Sequence, residues 1–297
     1  MSTQETKRQH YVPRTYLKNF AQQRGKEYFI DTLFKDNIQS PIKSINIKNV
    51  CLKKNLYTLD GDTKEERQLL EDFYSDEIES KYNDIYSILT DPVKKMVSIE
   101  ERDLIIATVI TMFYRTIKWI TSHNTFMDMV IRRAYDLCIQ SGNDYFKFED
   151  KKISIKGKTP EDLIDDYVKE VRQTQILTQI NAAFRLKKLR VLNDGIFVVK
   201  IDYPELEFVT SDHPVHYYNP DTNRPIPFDF TNILSLPLDS KHILYLMPYK
   251  ASNLIVRANY DSQVAILERI SSNSNQFHNS EKFILGSKLA LNHLQSM

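Results

Sequence analysis

Glycine is scarce in this chain: six in 297 residues, at positions 25, 61, 142, 157, 195 and 286, no two of them close together. The dinucleotide fingerprint, the phosphate-cradling P-loop and the Gly-x-Ser-x-Gly elbow all need paired glycines, so that spacing excludes all three. No nucleotide cofactor of the common kinds is expected, and no α/β-hydrolase. Cysteine is scarcer still. Cys51 and Cys138 cannot make a disulfide framework, a Cys-x-x-Cys pair or a four-thiolate zinc site. Neither sign of charge dominates: 40 Lys and Arg stand against 39 Asp and Glu. A balance of +1 argues against a chain coated in nucleic acid or held on a membrane, while leaving room for a local basic groove. Long hydrophobic runs are missing as well. The longest, Leu104 to Tyr114, is too short to cross a bilayer and is followed by Arg115 and Lys118. The N-terminus is polar, with no apolar signal core. A reduced, soluble, cytoplasmic protein is expected.

Hydrophobic residues make up 41% and charged residues 27%, enough to bury a sizeable core. Glu27 to Phe34 reads as a strand, with weaker extended segments at Ile42–Ile47 and Leu56–Leu59. Thr63 with Glu66 and Ser98 with Glu101 are capping-box pairs, so long helices should start at both places. The first helix should run to Asp91-Pro92 and the second, the most apolar, to about Ile120. A third is expected from Asn124 to Gly142 and a fourth from Thr159-Pro160 to about Phe184, with a charged connector between them. Leu189–Leu192, the turn Asn193-Asp194-Gly195 and Ile196–Ile201 read as a hairpin. Further strands are expected at Glu207–Thr210, Ile233–Leu236 and His242–Met247. A proline-rich loop should occupy 212 to 231, and helical spacing returns from Asp261 to Gln295. The economical reading is a single α+β domain over 1–297. Its mixed or antiparallel sheet is built from N- and C-terminal strands, with a helical block at 62–184 and C-terminal helices. The alternative is two domains split near residue 185.

Two short segments carry the polar chemistry. Gln9 to Phe20 reads His-Tyr-Val-Pro-Arg, with Pro13 suited to a first helical position and Tyr16, Leu17 and Phe20 forming an apolar stripe. Thr210-Ser211-Asp212-His213-Pro214-Val215 follows a strand. Together they resemble the bacterial domain of unknown function 4238 family, whose members open on a similar His-Tyr-Val-Pro segment and carry a Thr-Ser-Asp-x-Pro-Val segment. The resemblance implies no established activity. It does imply an Arg in a helical position corresponding to Arg115, and neighbourhoods of mobile elements.

His10 and Arg14 would be a general base and an anion clamp at a helix start; equally, His10 would bond backbone and Arg14 pair on the surface. Asp212, His213 and His216 offer ligands that a divalent metal accepts, yet neighbours on an extended chain point to opposite sides. Asp212 is the better candidate, its bland role being a turn cap. Thr108, Thr111, Arg115 and Lys118 share one stripe, read either as a solvated face or as one pointing into a polar pocket faced by Glu71, Glu77 or Glu79. Basic residues gather in 1–26 (Lys7, Arg8, Arg14, Lys18, Arg24 and Lys26, against Glu5) and at Arg185, Lys187, Lys188 and Arg190. Both clusters suit phosphate contacts, with Lys18, Arg185, Lys187, Lys188 and Arg190 as substrate-binding residues.

The leading expectation is a nuclease-type hydrolase acting on a nucleic acid or nucleotide in a phage-defence or toxin setting. His10, Arg14, Arg115 and Asp212 would be catalytic, with a divalent metal on Asp212 and His213. His10 and Asp212 would then share one pocket. The alternative is a non-catalytic sensor or interaction protein in which both motifs are structural.

Overall fold

Two reciprocal caps start the helical part of the protein. Thr63 Oγ1 accepts the Glu66 N–H while the Glu66 carboxylate takes the Thr63 N–H, and Ser98 and Glu101 repeat the arrangement. Each pair satisfies donors that a first helical turn leaves open. The computed structural model describes residues 8–148, 151–222 and 225–296. Lys7, of the N-terminal basic cluster, lies outside them.

The first capped helix is not continuous. The α-helix Lys64–Phe73 passes into a π-helical turn, Tyr74–Glu79, before the helix Tyr82–Thr90. The Ser80 N–H reaches back five residues to the Ser75 carbonyl at 3.0 Å. This wider turn sets Tyr74 and Glu79, five apart, on one face. The second capped helix, Ile99–Tyr114, buries Ile105, Ile106 and Phe113 completely. It stops at Tyr114 rather than near Ile120, with Arg115 as its C-cap.

The strands form an α+β fold with two five-stranded sheets. One is mixed, in the order His216–Tyr218, Ile233–Pro237, His242–Met247, Gly195–Ile201, Ile255–Tyr260; only the last pair is parallel. A side chain at Gly195 would run into the Lys250 carbonyl, so the strand begins on the one residue that fits. The other sheet is antiparallel, in the order Gln22–Arg24, Glu27–Phe34, Phe283–Gly286, Thr210–Ser211, with Lys43–Asn46 also paired on Glu27–Phe34. Leu33, Val209 and Ile284 lie at its core with Leu291 and Leu294. A separate ladder, Arg8–His10 with Leu52–Lys54, carries the N-terminal motif.

By contacts the chain divides into two compact units, one up to Thr116 and from Asn181, the other Ile117–Ile180. The second unit holds the helix Ile117–Ser141, the hairpin Tyr145–Phe148 and Lys151–Ser154, and most of the helix Pro160–Asn193. Ile131, Cys138, Ile155 and Leu163 form its core. Among the described residues no single helix is long and apolar enough to cross a membrane.

Several local expectations are corrected. Leu189–Leu192 is not a strand: the helix from Pro160 runs on to Asn193, and Asn-Asp-Gly ends it instead of turning a hairpin. Asn124 lies inside a helix that starts at Ile117. Leu56–Leu59 is not a strand; the ladder uses Leu52–Lys54. Phe283–Gly286, read as helical, is a central strand, and His216–Tyr218 is a strand inside the supposed loop.

Candidate functional site

Arg115 organises a buried polar cluster. Its residue is 2% exposed, because the helix ends there and turns the side chain inward. Of the stripe, Thr108 (1% exposed) and Arg115 are buried rather than solvated, whereas Thr111 and Lys118 are half-buried. Arg115 Nη2 donates to the His10 carbonyl at 2.5 Å and to Glu79 Oε1 at 2.9 Å. The guanidinium lies 4.5 Å from the Tyr74 ring centre and 5.6 Å from that of Tyr57, and the Tyr57 hydroxyl donates to the Arg115 carbonyl. Tyr74 and Glu79 reach the cation together because the π turn puts them on one face. Tyr57 is fixed from behind, its N–H donating to Gln9 Oε1 at 2.6 Å.

These bonds use two of the five guanidinium N–H groups. Among the described residues, Arg115 Nε and Nη1 make no hydrogen bond of ordinary geometry; what faces the rest of the guanidinium is the Tyr57 hydroxyl and the two tyrosine rings. His10 Nε2 and Glu71 Oε2 have no partner among the described residues.

The two titratable members are pushed in opposite directions. Burial lowers the His10 pKa from 6.5 to about 4, helped by the charges of Arg14, Arg115 and Arg8 and opposed by a hydrogen bond to the Ile47 backbone. Burial raises the Glu71 carboxyl from 4.5 to about 7; Arg115 and Arg14 oppose this, while Glu79 and Asp72 add to it. Arg14 and Arg115 thus act on both groups. Arg14 itself is exposed, in the first turn of the short helix Arg14–Leu17, with Pro13 one position earlier than expected, as its N-cap.

Asp212 lies in a different setting. Its Oδ1 accepts the Glu281 N–H at 2.9 Å, and its Oδ2 accepts those of Lys282 at 2.8 Å and Phe283 at 3.2 Å. Burial raises its pKa in spite of those three donors. None of these bonds goes to His10. The two motifs meet through other residues. Tyr11 and Cys51 are hydrogen-bonded to each other and feel the Asp212 charge. Tyr16 donates to the Pro237 carbonyl at 2.8 Å and shares a 2.6 Å hydrogen bond with Thr210 Oγ1. Successive residues of an extended chain face opposite ways, so His10 serves the Arg115 cluster while Tyr11 approaches Asp212.

The rest of the second motif is closed. Ser211 Oγ donates to Gln276 Oε1 at 2.7 Å, Gln276 Nε2 donates to the Pro214 carbonyl at 2.7 Å, and His213 Nδ1 lies 2.6 Å from Thr116 Oγ1. Among the described residues no three His, Cys, Asp or Glu side chains converge as a metal centre requires.

Of the basic residues, Lys18 is exposed beside the Tyr28 ring, and Arg185 and Lys188 are exposed. Lys187 pairs with Asp103. Arg190 is fully buried: Nη1 meets Asp194 Oδ2 at 2.5 Å and Nη2 donates to the Asn232 carbonyl at 2.5 Å. It ties the helix end to the loop before the strand Ile233–Pro237 and presents nothing to solvent.

Glu71 was anticipated only as one of three glutamates that face Arg115, and Tyr57 and Tyr74 were missed. The signal available for Tyr74 was the apolar spacing Leu70, Tyr74, Ile78, which a π turn leaves unchanged on paper.

No curated protein and no solved structure matches the chain. The family model described as "Protein of unknown function (DUF4238)" matches residues 8–288, so the chain belongs to the domain of unknown function 4238 family.

Proposed function

We propose that the protein is a hydrolase of phosphate-bearing substrates, with its reaction centre at His10, Arg14 and Glu71 and with Arg115 supplying charge behind them. The observation that carries this reading is the opposed pair. His10 is held neutral above about pH 4 with an open ring nitrogen, and Glu71 keeps its proton up to about pH 7 with an open carboxyl oxygen, under the same two arginines. Titratable groups pushed apart in this way mark the base and the acid of a site. His10 would take a proton from the attacking water, Glu71 would give one to the leaving oxygen, and Arg14 would neutralise the phosphate. Asp212 would position Tyr11 and the N-terminal segment from behind. A nucleic acid or nucleotide substrate, in a phage-defence or toxin setting, fits this chemistry.

Both groups are correctly protonated only between about pH 4 and pH 7. Hydrolysis of mixed DNA, RNA and mononucleotide substrates should therefore give a bell-shaped kcat/KM profile with limbs near those values. His10→Ala should lower the rate by at least about a hundredfold. Absence of hydrolysis across that range would sink the enzyme reading. It would leave the second one, a non-catalytic sensor or interaction protein, which is favoured by the closed hydrogen bonding of Thr210 to Pro214.

A further inference from the structure

The antiparallel sheet carries aromatic rings under lysine ends. Tyr28 and Phe34 fall on the same side of the strand Glu27–Phe34, opposite to the core residue Leu33, and Phe283 lies directly across from Phe34. Lys18 Nζ stands 5.0 Å from the Tyr28 ring centre, Lys43 Nζ 5.4 Å from that of Phe34, and Lys282 Nζ 5.1 Å from that of Phe283. Proteins at large carry such pairs about once per 70–80 residues, so three on one sheet are a concentration.

At the Phe34 end the two rings meet edge to face, 5.5 Å apart. Both are half-buried, whereas Lys43 and Lys282 are exposed, so the ring faces beneath those ammonium groups turn outward. Neighbouring residues hold the arrangement in place. The Asp212 carboxylate fixes the backbone of Lys282 and Phe283, and the Lys35 N–H donates to the Lys282 carbonyl at 3.0 Å. The Lys35 ammonium is committed to the His278 and Ser280 carbonyls. Beside these lysines in sequence stand the exposed carboxylates of Asp36 and Glu281, which limit the local positive charge. The rings must therefore supply much of any binding here.

We infer that this end of the sheet binds single-stranded nucleic acid. Bases stack on Phe34 and Phe283, while Lys43 and Lys282 move from the ring faces to the phosphates. The chemistry of the surface selects that occupant. An apolar partner would bury two ammonium groups without acceptors, whereas a polyanion pairs them. A duplex hides its base faces in the stack, whereas a single strand offers a π-face at every base. None of these residues belongs to the reaction centre proposed above, and the inference does not depend on hydrolysis there.

Fluorescence anisotropy of the whole chain with a labelled oligothymidine of about 12 nucleotides tests it. EDTA and a pH above the window in which Glu71 keeps its proton separate binding from turnover. Lys43→Gln and Lys282→Gln should each lower the slope of log K against log salt by about 0.7, the share of one phosphate contact. Lys169→Gln, exposed on another helix, should leave that slope alone. Phe34→Leu and Phe283→Leu should each weaken binding about tenfold on oligothymidine, and not at all on an abasic strand of the same length. A duplex should bind about tenfold more weakly than the single strand. If dichroism shows that a phenylalanine variant has lost its fold, the two lysine variants, exposed at both positions, decide the matter. Absent binding, a slope unchanged in both lysine variants, or equal binding of the duplex would each overturn the inference. Strand binding as described, without hydrolysis between about pH 4 and pH 7, would reject the enzyme reading and leave this surface standing. Hydrolysis with binding indifferent to these variants would do the reverse.

Discussion

Replacing Asp212 by Asn conserves size and shape and removes one charge, and the geometry makes that change costly. Three backbone N–H groups, of Glu281, Lys282 and Phe283, point at two carboxylate oxygens that are all but sealed from water. An amide has one acceptor oxygen. Its better orientation keeps the Lys282 and Phe283 bonds and turns its NH2 against the Glu281 N–H, donor to donor. The orphaned donor costs about 1–3 kcal/mol. The charge assistance lost by the two remaining bonds, about 1 kcal/mol, is offset by relief of the burial that raises the carboxyl pKa. The expected loss is therefore about 1–3 kcal/mol. Urea unfolding followed by far-UV dichroism measures it as a fall in midpoint of about 0.3–1 M, for a slope near 3 kcal/mol/M. Amide exchange at 281–283 should quicken in step. A variant within about 0.5 kcal/mol of the parent would show that the carboxylate does not hold this loop.

Two further outcomes are expected. Arg190→Ala strands the buried Asp194 carboxylate and should destabilise by about 3–5 kcal/mol, while the paired change Arg190→Met with Asp194→Leu should recover most of it; equal losses for both would refute the ion-pair account. Stability against pH should split the two shifted groups. The depressed His10 pKa contributes stability that is fully present above pH 6.5 and lost as pH falls towards 4, up to about 3 kcal/mol. The raised Glu71 pKa contributes stability at low pH that is lost as pH rises from 4.5 through 7, screened on its exposed side. His10→Asn should therefore grow less stable as pH rises through that window, and Glu71→Gln more stable. Parallel curves would show that neither group is perturbed.

What the sequence made legible was whatever rests on neighbouring residues. Thr63 with Glu66, Ser98 with Glu101 and the aromatic and β-branched content of Glu27 to Phe34 announce their elements because caps and strand preferences are local. Phe283-Ile284-Leu285-Gly286 was unreadable for the opposite reason. A four-residue apolar run is a strand only because Glu27–Phe34 and Thr210–Ser211 flank it. The π turn at Tyr74–Glu79 hides in the same way, since its extra residue is set by what packs around Arg115. The arginine and the two motifs were found from residue type together with the family resemblance. That His10 faces Glu71's neighbours, and Tyr11 faces Asp212, depends on which side of one short ladder each falls, and no spacing in the chain records that.

The strand Glu27–Phe34 gains Gln22–Arg24 and Lys43–Asn46 early in synthesis but waits a long time for the partner that Asp31–Phe34 takes on its other edge. Phe283–Gly286 emerges about 250 residues later, roughly ten to fifty seconds at about 5–20 residues per second. Until then an eight-residue strand rich in aromatic and branched side chains has an unsatisfied edge on the ribosome. A premature stop anywhere before 283 would leave it so permanently. Nascent chains of this protein should accordingly be chaperone clients from their first turn of synthesis to nearly their last, and C-terminal truncations should accumulate as aggregates rather than as partial folds.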